Sequence, residues 1–340
     1  TGAAAALRRL RLGGGGGVSG RCPGASGARA GASAAAAAAA TRSWDAQDPG
    51  RFASLAYWDH YHQRDRRTRP HHEWFVESGR ALDVVMPHVR AVCEQHIRQG
   101  SVPSALHLGC GTSALGLDLA RAPVAAEANL AVVNLDFSEV AIEAMRRLHG
   151  EDASAGHRNR WVVADALNMP FEAACFDVVL DKGTFDAFEF AKFGSRGADA
   201  VSSESGRDEG VARLCREVDR VLSRSVCAAW VQITHTAPEL RLELLAEHLP
   251  CRGESSSWRD EWSVGFSPVS LDGDDDDDGG SCGFEYFVYT VRRRPRFALL
   301  AVAAQSGEEE VLAQFIDGAD AEEAVRALLE AGQPGRLEVR

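Results

Sequence analysis

Lysine is nearly absent from this chain of 340 residues, which contains two lysines and 35 arginines. The basic residues are outnumbered by 49 acidic ones, so the formal charge is −12 at pH 7. A protein that binds nucleic acid mainly through phosphates needs a basic surface, and this balance argues against that class. The scarcity of lysine also gives weight to Lys182, because it suggests a position that arginine does not fill equally well.

Paired cysteine motifs and long apolar runs are also missing. The eight cysteines include no C-x-x-C pair, so there is no zinc signature and reduced thiols are expected. No apolar run reaches the roughly 18 residues that a membrane span requires. We therefore predict no metal site, no membrane association and no nucleic-acid partner.

Acidic residues are absent before Asp45, whereas the first 44 residues hold six arginines among many Ala, Gly and Ser. This composition predicts a disordered transit peptide over 1–44, for a mitochondrion or alternatively a plastid. The other interpretation is a low-complexity tail on a cytoplasmic protein from an arginine-biased proteome. Residues 45–100 follow as a helical segment rich in aromatic side chains, which we expect to act as a lid.

Apolar runs alternate with helical patterns through the middle of the chain. Strands are predicted at 104–110, 131–137, 160–165, 176–181 and 226–235, and helices at 113–121, 138–149, 211–223 and 238–249. Such alternation predicts a parallel sheet that is covered by helices on both faces.

The end of this region has a different pattern. Two strand-like runs, 262–271 and 283–293, are joined by an acidic loop and predict an antiparallel hairpin. The hairpin closes a domain over 101–294. Residues 295–340 predict an acidic extension of one or two helices.

The stretch "SALHLGCGTSALGLDLA" (104–120) joins a strand to a helix through a glycine turn, Gly109 to Gly111. Enzymes that bind NAD and enzymes that bind S-adenosylmethionine both use such a turn. Asp136 ends the next strand, where a carboxylate can accept the ribose hydroxyls of either cofactor. Asp165 closes the strand after that, in "WVVADALNMPF", where its side chain and the following amide can read adenine. This second acid favours S-adenosylmethionine.

Together with "FDVVLDKGTFDAF" (176–188), these motifs resemble the class I, seven-stranded S-adenosylmethionine-dependent methyltransferases. "GCGTS" and "LDKGTFDA" look like the branch that contains the elongation factor 1-alpha lysine methyltransferases and the mitochondrial citrate synthase lysine methyltransferase. The resemblance covers about 54–293. It implies a Rossmann-like, doubly wound α/β sheet with a C-terminal antiparallel hairpin, S-adenosylmethionine as cofactor, and a protein substrate with a target lysine.

The resemblance also implies roles for individual residues. The cofactor-binding positions would be Trp58, Tyr61 and Trp74 in the lid, Gly109 and Gly111 in the turn, Asp136 and Phe137 at the ribose, Asp165 and Ala166 at the adenine, and Lys182 at the carboxylate end. The sequence departs from the family pattern twice. Trp58 and Tyr61 are one residue closer than usual, which makes His62 the alternative aromatic, and His107 stands where many members have an acid.

Asp181 ends the fourth strand, where class I enzymes meet the acceptor, and we predict that it orients the acceptor amine. Phe185, Asp186 and His235 are the alternatives. A small-molecule or RNA methyltransferase on the same scaffold remains open, because acceptor choice depends on loops. An NAD-binding oxidoreductase and a non-catalytic interaction protein are the other readings.

Overall fold

The computed structural model describes residues 49–65, 70–150, 158–191, 204–253, 256–269, 286–302, 309–316, 318–330 and 336–339. The predicted transit peptide over 1–44 and the acidic hairpin loop lie outside these residues.

A seven-stranded mixed sheet forms the centre of the molecule. Its strands are β1 (Ser104–Leu108), β2 (Ala131–Asp136), β3 (Asn159–Val163), β4 (Val178–Lys182), β5 (Ala229–Thr234), β6 (Trp262–Val269) and β7 (Tyr286–Arg293), in the order β3-β2-β1-β4-β5-β7-β6. The first five strands are parallel, whereas β7 pairs antiparallel with both β5 and β6. The predicted doubly wound sheet with a closing antiparallel hairpin is thus confirmed.

Helices cover both faces of the sheet. They are α1 (Leu55–Asp65), α2 (Ser78–Gln99), α3 (Leu115–Arg121), α4 (Pro123–Glu127), α5 (Glu139–His149), α6 (Thr184–Ala191), α7 (Glu204–Val221), α8 (Pro238–His248) and α9 (Trp258–Glu261). Alternate strand residues enter opposite cores, because side chains on a strand alternate between faces. Val179 packs with Leu214 of α7 on one face, and Val178 and Leu180 pack with Val85 of α2 on the other.

Before the sheet, the chain forms a 3-10 helix (Pro49–Ala53) and α1, and residues 70–77 then lead into α2. This N-terminal segment carries the aromatic residues predicted to form a lid. Among the described residues, no helix is both long and apolar enough to cross a bilayer.

The C-terminal extension differs from the helical prediction for 295–340. It forms β8 (Phe297–Val302), β9 (Glu309–Phe315), α10 (Gly318–Glu330) and β10 (Arg336–Val339), with an antiparallel sheet in the order β10-β8-β9. Only α10 is helical in the described part of this region. The sequence of β9 also fits the alternating pattern of a strand, with apolar residues at Val311, Ala313 and Phe315. Pairing with the apolar β8 favours the strand over the predicted helix.

Candidate functional site

A cavity of about 490 Å³ opens at the edge of the sheet where the five parallel strands end. The strand order places the ends of β3, β2 and β1 on one side and those of β4 and β5 on the other. We call the first side the glycine end; it is lined by Gly109, Gly111, Asp136, Phe137, Asp165 and Ala166. We call the second the His235 end; it is lined by Phe75, Asp186, Phe190 and His235.

The turn after β1 requires glycine at its first position. Gly109 has a φ of +59°, and a Cβ there would lie 2.0 Å from Oγ1 of Thr184. The Thr184 hydroxyl is held in that place because it donates to the carbonyl oxygen of Leu108 at 3.0 Å. Gly109 lines the cavity, and no other residue fits there because Thr184 occupies the space of a side chain.

Asp136 joins the glycine turn to the end of β2. Its Oδ2 accepts a hydrogen bond from the Gly111 N–H and its Oδ1 one from the Ser138 N–H, both at 2.8 Å. Burial raises the pKa of this carboxyl to about 6, although the two amides act against the shift. A carboxylate has about four acceptor sites, so Asp136 can still accept a ligand hydroxyl beside these amides.

Asp165, the other predicted acid of the glycine end, lies at the surface of the cavity after β3. Its Oδ1 accepts a hydrogen bond from the Leu167 N–H at 2.8 Å, which fixes the loop. Asp165 is exposed, while Ala166 beside it is buried. The structure thus brings both acids and the glycine turn to one side of a single cavity.

The N-terminal segment covers the cavity with aromatic rings. Trp58 and Trp74 line it as the sequence predicted, and their ring centroids are 5.4 Å apart. Tyr61 does not line it; its hydroxyl instead bonds to Nε2 of His72 at 2.8 Å. His62 takes the place in the wall, stacked on Trp58 at 5.9 Å, because the short spacing turns Tyr61 away.

Lys182 is held by the same N-terminal segment. Its Nζ lies 2.9 Å from Oε2 of Glu73 and donates to the carbonyl oxygen of Trp74 at 2.9 Å. Glu73 also accepts hydrogen bonds from the Ser113 hydroxyl and the Ala114 N–H, both at 2.7 Å. Burial raises the pKa of Glu73, but Lys182 and these donors outweigh it and the net shift is downward. Lys182 lines the cavity, but its ammonium is occupied by a buried ion pair that ties the N-terminal segment to β4.

Sequence reasoning did not identify Glu73 as a functional residue. Two signals pointed to it: the scarcity of lysine and the "EWF" stretch within the region of family resemblance. The unusual His107 is also explained by a polar contact, since its Nδ1 lies 3.2 Å from Oδ1 of Asn134. Burial lowers the pKa of His107 to about 4, so it is neutral at physiological pH.

Asp181 lies near the end of β4, as predicted, but its side chain does not line the cavity. It is 2% exposed and is absent from the described residues that line the cavity. Its carboxylate caps α6, accepting the N–H groups of Thr184 at 2.8 Å and Phe185 at 3.2 Å. Burial, with the nearby Asp186, raises its pKa to about 7. This geometry does not support direct contact between Asp181 and an acceptor amine.

A buried charged cluster backs the His235 end instead. Asp186 and Glu189 project from the same side of α6, and both pair with Nη2 of Arg241, at 3.2 and 3.0 Å. Arg241 is fully buried and stacks on the ring of Phe185, 4.0 Å from its centroid. Neither Glu189 nor Arg241 was identified from the sequence, because they come from two helices with no shared motif.

His235 follows β5 and connects this cluster to the cavity. Its Nδ1 lies 3.5 Å from Oδ1 of Asp186, and its side chain is 41% exposed whereas that of Asp186 is 4% exposed. Its ring stacks on Phe190 at 5.2 Å and meets Phe75 edge-on at 5.1 Å. The His235 end therefore presents one exposed imidazole between aromatic walls, with carboxylates behind it.

The cavity fits S-adenosylmethionine. The glycine turn supplies open main chain, Asp136 can accept ribose hydroxyls, and Asp165 with Ala166 lies where adenine would bind. The indole N–H of Trp74 is buried against the cavity without a hydrogen-bond partner among the described residues, as a donor reserved for a ligand would be. In the described part of the chain, no group of three or more His, Cys, Asp or Glu could hold a metal ion.

Comparison with known proteins identifies the same core. Residues 103–227 match the model of a methyltransferase domain. The chain is 29% identical over 196 residues to EEF1A lysine methyltransferase 4 of Bos taurus, an alignment that covers 58% of this chain and 66% of that protein. It is 25% identical over 256 residues to EEF1A lysine methyltransferase 4 of Mus musculus, covering 75% of this chain and 82% of that one.

Among solved structures, the magnesium protoporphyrin IX methyltransferase of Synechocystis PCC 6803 with bound SAM aligns with a TM-score of 0.39 and 13% identity. That alignment covers 73% of this chain and 99% of the other. The match over 103–227 and the two relatives identify an S-adenosylmethionine-dependent methyltransferase domain in this chain.

Proposed function

We propose that this protein is an S-adenosylmethionine-dependent protein-lysine N-methyltransferase. The observation that carries the proposal is the pairing, within one cavity, of a glycine end suited to the cofactor with a His235 end backed by carboxylates. The names of the two relatives support a protein lysine as the acceptor.

Charge supports a lysine-bearing substrate. Without the first 44 residues, which carry six arginines and no acid, the formal charge falls from −12 to −18. An acidic protein attracts a lysine-bearing partner and repels RNA. A lysine is protonated at neutral pH, and Asp186 and Glu189 place negative charge behind the wall that its ammonium would approach.

The cofactor supplies an electrophilic methyl group on a positively charged sulfur. The protein has to bind it, orient the acceptor nitrogen in line with the methyl group and exclude water. Asp136, Asp165 and the glycine turn would hold the nucleoside. The N-terminal segment, fastened by Glu73 and Lys182, covers the cavity and would exclude solvent during transfer.

The test uses tritiated S-adenosylmethionine with purified elongation factor 1-alpha, and in parallel with a whole-cell extract. Mass spectrometry then locates the methyl group. We expect it on a lysine side chain, and expect the Asp136→Ala variant to give little label because it holds the cofactor poorly. Methyl groups on RNA or a small metabolite, with none on protein lysine, would contradict the proposal and leave the methyltransferase fold intact.

We further propose that the arginine-rich first 44 residues direct the chain to mitochondria. Their composition, with six arginines and no acid, supports this. A fusion of residues 1–50 to a fluorescent protein should co-localise with a mitochondrial marker. A matched fusion with all six arginines changed to glutamine should stay cytosolic, and a cytosolic wild-type fusion would contradict the proposal.

A further inference from the structure

Asp186 is fixed rigidly behind the imidazole of His235. The Arg241 guanidinium holds its Oδ2 at 3.2 Å, and the Thr234 hydroxyl donates to its Oδ1. The Thr236 hydroxyl lies 3.4 Å from the same Oδ1. Because these partners are buried, the carboxylate has little freedom to turn away from His235.

This arrangement favours one tautomer of neutral His235. A carboxylate that faces Nδ1 stabilises the proton on Nδ1, and Nε2 is then left as a proton acceptor. The flanking rings of Phe190 and Phe75 restrict rotation of the imidazole. Phe75 itself has a φ of +65°, uncommon for a residue with a side chain, and its ring packs over Gly183.

We propose that His235 is the catalytic base that removes a proton from the incoming lysine ammonium, and that Asp186 is its positioning residue. The inference rests on the proposed function and deepens it. Nε2 takes one proton from the ammonium, and the freed nitrogen lone pair forms a bond to the methyl carbon as the carbon–sulfur bond breaks. The electron pair of that bond stays on sulfur, and the imidazolium later releases its proton to water.

The charges around His235 favour this role. Asp186 and Glu189 of α6 and Arg241 of α8 are the charged groups behind it, so two carboxylates face one guanidinium. The N-terminal segment presents Phe75, which in turn contacts Tyr286 of β7. The net negative environment attracts the ammonium before transfer.

The first experiment reads the tautomer and needs no substrate. Histidine-selective nitrogen-15 labelling of the full chain, saturated with S-adenosylhomocysteine, reports which ring nitrogen carries the proton at alkaline pH. Comparison with His235→Gln assigns the signal. We expect neutral His235 to carry its proton on Nδ1, and a proton on Nε2 would overturn the proposal whatever the substrate is.

The second experiment compares two histidine–carboxylate pairs. His248, whose Nε2 lies 3.8 Å from Glu247, is outside the cavity and provides the matched control. With elongation factor 1-alpha as acceptor, His235→Gln should lower kcat by about 100-fold or more and remove the fall in kcat at acidic pH. His248→Gln should leave the pH profile as in the wild type.

Affinity for S-adenosylhomocysteine, measured by calorimetry, should change less than about twofold in His235→Gln, because the glycine end is intact. A lower kcat with an unchanged pH profile would indicate a structural role and overturn the proposal. If the wild type labels no lysine, the proposed function fails. The tautomer experiment still decides separately whether His235 is built as a base.

Discussion

The two ends of the cavity are built in different ways. The glycine end uses main-chain amides and single acids, each at the end of its own strand, as Asp136 does with the Gly111 and Ser138 N–H groups. The His235 end uses a buried cluster of charged side chains from α6 and α8. The first can be written as a short motif, whereas the second exists only after the chain has folded. We therefore expect single substitutions at the His235 end to change the stability of the fold, and single substitutions at the glycine end to change cofactor binding.

The largest expected effect concerns the charged cluster. Arg241→Met would leave Asp186 and Glu189 buried without their common partner, and we expect the free energy of unfolding to fall by about 3–5 kcal/mol. Arg147 pairs with Glu143 on the exposed face of α5 and serves as control. Arg147→Met should cost about 0.5 kcal/mol or less. Urea unfolding measures both, and equal losses would contradict the distinction between the two sites.

At the glycine end, one added methyl group should have a large effect on the affinity for the cofactor. Gly109→Ala puts a Cβ into Oγ1 of Thr184 and strains a positive φ, so affinity for S-adenosylhomocysteine should fall at least about tenfold. Gly265 in β6 has nothing within 4 Å of its Cβ position. Gly265→Ala should therefore bind as the wild type does. Calorimetry of the two variants gives the comparison.

The smallest expected effect is a pH dependence of cofactor binding. The pKa of Asp136 is raised to about 6, so the carboxyl is increasingly protonated below that pH and accepts ribose hydroxyls less well. Affinity for S-adenosylhomocysteine should rise by about threefold to tenfold from pH 5 to pH 7. The Asp136→Asn variant should bind more weakly and lack this rise.

The raised pKa of Asp136 also affects the free energy of unfolding of the ligand-free protein. A carboxyl whose pKa is higher in the folded than in the unfolded state stabilises the fold at low pH, and the contribution is lost as pH rises through about 6. Asp136→Asn should reduce that decline in unfolding free energy.

For cofactor binding, a wild-type affinity that does not change between pH 5 and pH 7 would contradict the assignment of Asp136 to the ribose.

Much of the fold could be predicted from the sequence. Four of the five parallel strands are apolar runs with a glycine or an aspartate at or just after their end, whereas β5 ends in Thr234 and is followed by His235. The closing hairpin has two strand-like runs around one loop. The prediction was wrong for Glu309–Phe315, which was expected to be helical and forms a strand. Its sequence is compatible with both structures, and the pairing with β8 stabilises the strand.

The site, like the fold, could be predicted only in part. Gly109, Asp136 and Asp165 were predicted because each lies at or just after the end of a strand, and the structure brings all three to the cavity. Asp181 was proposed on the same argument, but its carboxylate turns back to cap α6. Glu73 was missed because it lies 109 residues before Lys182 in the chain and contacts it only in the fold.

The central claim is that the cavity is a binding site for S-adenosylmethionine. Isothermal titration calorimetry of the full chain with S-adenosylhomocysteine and, separately, with NAD tests it most directly. The account predicts saturable binding of S-adenosylhomocysteine at one site per chain, weakened by about 1–3 kcal/mol in Asp136→Ala because the ribose hydroxyls lose their acceptor. It predicts no heat of binding with NAD. Binding of NAD without any response to S-adenosylhomocysteine would contradict it.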